Sequence, residues 1–146
     1  MRRSCPAAGG AGVKASIFLD ASVVMAVITD EPIRPRLIDR TRGEHASAAT
    51  SLPYEIGNGL SSNLRRKKLT AEQAVEAMAL YRQMKIEFAE VDLEASLECC
   101  LAFNLYAYDA YVLTTARRSG VPLFTLDHKM QMVAGRMGIE LVEWPS

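Results

Sequence analysis

Ser16-Ile17-Phe18-Leu19-Asp20-Ala21-Ser22-Val23 decides how the rest of the chain reads. Three large apolar residues in succession suit a short strand buried on both faces, the kind found in parallel sheets. The aspartate that ends the run stands where such a strand leaves the core. Outward from there, short apolar runs alternate with longer amphipathic stretches, the βα alternation of a parallel sheet covered by helices, so the predicted class is α/β.

A helix is predicted over Ala21 to Ile28 and a second around Arg34 to Arg42, the join punctuated by Pro32 and Pro35. His45 to Thr50 reads as the second strand and Leu52 to Lys68 as a helix despite Gly57 and Gly59. Thr70-Ala-Glu-Gln73 has the form of a capping box and opens a long helix to about Lys85. In it Ala74, Ala77, Met78 and Tyr81 recur at helical spacing, which predicts a face buried against the preceding helix, the two forming a hairpin. Ile86 to Val91 is the third strand, Asp92 caps a helix through Phe103, and Tyr108 to Arg118 forms another that ends at Gly120. Pro122 to Leu126 is the fourth strand, a helix runs from His128 to Met137, and Ile139 to Val142 supplies a short fifth strand at the edge.

At 146 residues and 49% hydrophobic, one compact domain is the default. Lys plus Arg equals Asp plus Glu at 17 each, so a polyanion has to be met by local charge rather than by a basic whole. Cys5, Cys99 and Cys100 show no metal-ligand spacing, which suits a reducing cytoplasm and no structural zinc. Residues 1–15, with Arg2 and Arg3 but no apolar run, are expected to form a loose tail or an extension upstream of the natural start, without directing export. No window has the roughly 18 apolar residues of a spanning helix, and a membrane protein is not expected.

Asp20 and Asp127 each follow an apolar strand, which in a parallel sheet places both at the carboxyl edge, where open α/β sheets bind ligands. Glu55 lies one turn into the helix after the second strand, and Asp109 opens a helix between Tyr108 and Tyr111. Singly, each has an ordinary explanation: Asp20 and Asp127 as helix N-caps, Glu55 and Asp109 as carboxylates favoured near a helix start. Together they are harder to explain so, because segments such as Leu105-Tyr-Ala-Tyr-Asp109-Ala-Tyr111 place a carboxylate among apolar residues. With no Lys or Arg close in sequence to Asp20 or Asp109, a hard divalent cation, Mg²⁺ or Mn²⁺ before Zn²⁺, is a reasonable counter-charge. Such a site suits phosphodiester hydrolysis.

Four segments, Ile17-Phe-Leu-Asp20-Ala-Ser22-Val, Leu52-Pro-Tyr-Glu55-Ile-Gly-Asn58-Gly-Leu60, Tyr108-Asp109-Ala-Tyr111-Val-Leu and Leu123-Phe-Thr125-Leu-Asp127, resemble in order those of PIN domains, and in length and layout the VapC-type toxin ribonucleases of toxin–antitoxin pairs. The resemblance covers nearly everything after Ser16 and makes residues 16–146 the domain. It implies a three-layer α/β/α fold with a five-stranded parallel sheet in the order three-two-one-four-five. It also implies an RNA-cutting site in which Asp20, Asp109 and Asp127 hold Mg²⁺ or Mn²⁺, Glu55 positions metal or water, and Ser22 and Thr125 support the carboxylates. An antitoxin lying partly along the helical hairpin, and a homodimer, are further implications.

Arg65-Arg66-Lys67-Lys68 reads as a solvated helix end, with a phosphate contact beside the cleft as the functional alternative, and Arg34, Arg36, Arg40 and Arg42 are a second basic candidate. His45 and His128 lack metal spacing, Cys99 and Cys100 are expected to pack in the core, and Met130, Met132 and Met137 to fill core or interface. Two other classes remain open on the residues alone: a catalytically silent module that binds RNA or protein, and another metal phosphohydrolase acting on DNA or a small phosphoester.

Overall fold

Ile17, Phe18 and Leu19 form strand β1 (Ile17–Leu19), every residue of it buried, and it is paired in parallel on both sides. The computed structural model describes residues 14–145, so Cys5 and all but the last two residues of the expected tail lie outside the described residues. On one side of β1 lies β2 (Ala46–Ala49), with Ile17 opposite Ala46; on the other lies β4 (Leu123–Phe124), with Phe18 opposite Leu123. β3 (Ile86–Ala89) completes the order β3-β2-β1-β4, all parallel. The fifth strand shrinks to a single parallel bridge between Leu123 and Leu141, held by Leu123 N–H to Glu140 O at 2.8 Å and Val142 N–H to Leu123 O at 2.9 Å. It occupies the expected edge beside β4. With two residues in β4 there is little partner strand to extend it.

Helices α1 (Ala21–Ile28), α2 (Arg34–Thr41), α3 (Leu52–Arg65) and α4 (Ala71–Gln83) belong to one face of the sheet, and α5 (Leu93–Phe103), α6 (Ala107–Ser119) and α7 (His128–Arg136) to the other. The period-two rule assigns the sheet residues: Ile17, Leu19, Ala48 and Phe124 pack with the first group, and Phe18, Ala49 and Leu123 with the second. Both faces are thus covered, and that explains why the strands read as continuous apolar runs instead of alternating ones. The sheet's exposed edge is β3, where Phe88 is only half-buried.

Local chemistry sets the helix ends. The Thr70 hydroxyl accepts from Gln73 N–H at 3.1 Å while the Gln73 amide oxygen accepts from Thr70 N–H at 2.9 Å, both halves of the capping box. The Asp92 carboxylate accepts from Ala95 N–H, and Gly120 closes α6 in the left-handed conformation at φ 71°. The hairpin of α3 and α4 forms, but α4 leans on α1 as well as α3, and of its predicted buried face only Ala77 is fully enclosed. Gly59 explains part of the approach on that side: a Cβ there would meet Met25 Cε at 2.9 Å, so α3 lies tight against α1. Among the described residues no helix is long and apolar enough to cross a membrane.

Candidate active site

The carboxyl edge of the sheet gathers what the sequence left scattered. Asp20 follows β1, Glu55 lies in the first turn of α3 after β2, Asp109 in the first turn of α6, and Asp127 follows β4. β1 and β4 are neighbours, so Asp20 and Asp127 leave the sheet side by side, while α3 and α6 bring their first turns over the same edge.

Asp20 is buried, at 4% exposure, yet does not cap α1. Its Oδ2 accepts instead from the Ser22 hydroxyl and from the Thr125 hydroxyl, each at 2.7 Å. Both hydroxyls are themselves held: Ser22 Oγ accepts from Leu126 N–H at 3.0 Å, and Thr125 Oγ1 accepts from Asp127 N–H at 3.1 Å. The Gln131 side chain donates to the Thr125 carbonyl at 2.9 Å. One acceptor oxygen thus ties the start of α1 to the chain after β4, and among the described residues no hydrogen bond engages Asp20 Oδ1.

Asp127 behaves as a helix cap: its Oδ1 accepts from Met130 N–H at 3.1 Å and starts α7. The capping explanation therefore holds at Asp127 and fails at Asp20. Asp109 is half-buried, and its pKa is raised by burial first, then by the negative charges of Asp127 and Asp20, with Lys129 opposing the rise. Glu55 is more strongly affected. Burial, followed by the charges of Asp20 and Asp109, pushes its pKa up to about 8. Its Oε1 is buried with no hydrogen-bond partner among the described residues. The four carboxyl groups are thus one electrostatic cluster, each influencing or influenced by at least one other.

A buried, unpartnered carboxylate oxygen amid like charges is what a divalent cation would relieve. Among the described residues no group of three His, Cys, Asp or Glu side chains is gathered to hold one metal ion. The acids nevertheless act on one another electrostatically, and one oxygen each of Asp20 and Asp127 is committed to hydroxyl and backbone donors. An open arrangement of oxygen ligands completed by water suits Mg²⁺ or Mn²⁺ and does not suit the closed tetrahedral shell of structural zinc.

Other residues singled out in the sequence are placed elsewhere. Arg65, Arg66, Lys67 and Lys68 are exposed at the far end of α3 from Glu55. Ten residues of helix separate Glu55 from Arg65, roughly 15 Å along the axis, so the structure does not bring this cluster beside the acids. Arg34, Arg40 and Arg42 pair with Asp30, Glu44 and Asp39, and Arg36 lies over the Trp144 ring. His45 and His128 are exposed, Cys99 and Met130 are buried, and Met132 is exposed. Lys129, in the first turn of α7, was not singled out, although its place two residues after Asp127 was a usable signal. It is the cation that acts on Asp109.

The sequence model of the PIN domain family matches residues 17–136. Comparison with curated protein sequences gave no match. Similar solved structures include PAE2754 from Pyrobaculum aerophilum, 18% identical with a TM-score of 0.59 over 85% of this chain and 90% of that one. VapC20 from Mycobacterium tuberculosis, described as a sarcin-ricin loop cleaving toxin, is 15% identical with a TM-score of 0.59 over 81% of this chain and 95% of that one. VapBC2 from Rickettsia felis, bound to a DNA fragment from its promoter, is 13% identical with a TM-score of 0.61 over 88% and 98%. At these identities the likeness is one of fold.

Proposed function

The chain belongs to the PIN domain family, and from that premise we propose that it is a metal-dependent endoribonuclease, the toxin of a toxin–antitoxin pair acting in the cytoplasm. The observation that carries the reading is Glu55: a carboxyl group with a partnerless buried oxygen, its pKa raised by burial and by Asp20 and Asp109. A fold gains nothing from such a group, and its presence at this edge supports a ligand that stabilises the ionised form.

In this reading Asp20, Asp109 and Asp127 would hold Mg²⁺ or Mn²⁺, and Glu55 would position metal or water. Such an ion would supply Lewis acidity toward a phosphodiester and a more readily deprotonated water. Ser22 and Thr125 both donate to Asp20 Oδ2, which would leave Oδ1 for the ligand. Asp127 uses Oδ1 on α7 and offers the other oxygen. Lys129 is placed to meet the phosphate backbone near Asp109, and the exposed Arg65 to Lys68 cluster would meet it farther along. The helical hairpin is the proposed seat of a VapB-like antitoxin, and a homodimer is the proposed assembly. The structural neighbours VapC20 and VapBC2 support a toxin over a housekeeping nuclease.

The test is cleavage of total RNA and of matched DNA by purified protein with Mg²⁺, Mn²⁺ or EDTA, alongside Asp109→Asn. RNA cutting that requires metal and is lost in the variant is expected. Cutting of DNA alone would replace the reading with a DNA nuclease. RNA binding without cutting, unchanged in the variant, would replace it with a silent binding module.

A further inference from the structure

Beside the acids, on the same edge of the sheet, a groove of about 430 Å³ opens between the first turns of α3 and α6 and the segment leading into α5. Thr50 and Ser51 line it from the end of β2, Tyr54 from α3, Leu93 from α5, and Tyr108 and Tyr111 from α6. It therefore lies over β2 and β3 while the carboxylates lie over β2, β1 and β4, so one continuous edge carries both. Tyr54 immediately precedes Glu55 and Tyr108 immediately precedes Asp109, which fixes two of the aromatic walls to the same helical turns as two of the acids.

Three features describe the ligand this groove fits. Tyr54 is 71% exposed and Tyr108 38%, large aromatic surfaces left uncovered, and Tyr111 buttresses Tyr108 edge to face at 5.9 Å between centroids. Among the described residues no charged side chain lines the groove, although Glu55 and Asp109 adjoin Tyr54 and Tyr108 in the chain. Thr50, exposed at the end of β2, adds a polar hydroxyl to the lining. A flat, uncharged, polar-edged group satisfies all three: it stacks on tyrosine and offers an edge donor or acceptor to Thr50.

We propose that this groove binds one unstacked nucleobase of the RNA, on a nucleotide next to the phosphate held at the carboxylates. The proposal rests on the ribonuclease reading above. It makes single-stranded or looped RNA the substrate class, since a base inside a duplex cannot present its face to tyrosine. Continuity with the acid cluster and the absence of charge favour a base over a peptide segment, whose side chains would meet no ionic partner here.

The experiment uses the full chain with Mg²⁺ and short single-stranded RNAs, each carrying 2-aminopurine at one position, mixed in stopped flow so that binding is read before cleavage. Quenching confined to one position is expected, with affinity falling about 5- to 100-fold in Tyr54→Ala and Tyr108→Ala, the range for losing one base–aromatic stack. Tyr54→Phe and Tyr108→Phe should retain both quench and affinity, and thermal melting checks that all four variants fold. Affinity and quench unchanged in both alanine variants, with cleavage intact, overturns the groove proposal and leaves the ribonuclease reading standing. The same insensitivity to RNA combined with weakened antitoxin binding overturns it in favour of a protein contact. A wild-type protein that neither binds nor cuts RNA overturns both.

Discussion

Glu55 holds an oxygen that nothing among the described residues satisfies, and this has a measurable cost. Its folded pKa, about 8, lies above the ordinary 4.5, so the protonated form favours folding. That contribution is complete below pH 4.5 and is lost as pH rises through 8. Metal-free protein should therefore melt at progressively lower temperature between those values, whereas Glu55→Gln should give a flatter profile and a higher melting temperature at pH 9. Equal slopes for both proteins would refute the assignment. Thr125→Val removes one of the two donors to Asp20 without changing shape; it is expected to cost about 1 kcal/mol in stability and to weaken divalent-ion binding by about 10- to 100-fold by calorimetry. The four acids were legible in the sequence because each interrupts or ends an apolar segment. The state of Asp20 was legible only through the resemblance, which implied Ser22 and Thr125 as supports: local pattern suggests a cap, and one of its two partners, Thr125, is 105 residues away.

Elements were read better than their contacts. α1 begins and ends as predicted, and the capping box at Thr70 forms, because propensity and cap chemistry are local. Where α4 leans was not readable, since its apolar spacing specifies a face but no neighbour. Strands were overestimated for a related reason: apolar runs continue past the last ladder hydrogen bond, as at β4, where five predicted residues yield two. The two glycines of α3 differ in a way the sequence could not indicate. A Cβ at Gly57 meets nothing within 4 Å, so Gly57→Ala should raise stability by about 1 kcal/mol through helix propensity alone. At Gly59 the same change pushes on Met25 and should gain less. Chemical denaturation of the two variants in parallel checks the order, and a larger gain at Gly59 would contradict it.

At the scale of the molecule, a neutral chain gathers four of its 17 acidic residues where four segments meet, and the sheet order is what brings them there. The order is invisible in a linear reading and came from the family resemblance. Concentrating like charges makes the folded state sensitive to divalent ions: Mn²⁺ at about 100 times its dissociation constant should stabilise by about 2.7 kcal/mol, a rise on the order of 5–10 °C in melting temperature. Asp109→Asn should abolish most of that rise, and EDTA all of it. An unchanged melting curve with saturating Mn²⁺ would refute a metal site at this edge. Asp127 has a further consequence that concerns descent instead of chemistry. Because its carboxylate also starts α7, losing it would cost about 1 kcal/mol of stability even in a chain with no use for the proposed cutting, whereas losing Glu55 would remove a burden. Among silenced descendants of this sequence, decay should begin at Glu55 and reach Asp127 last, so an aspartate surviving there testifies to architecture and not to activity.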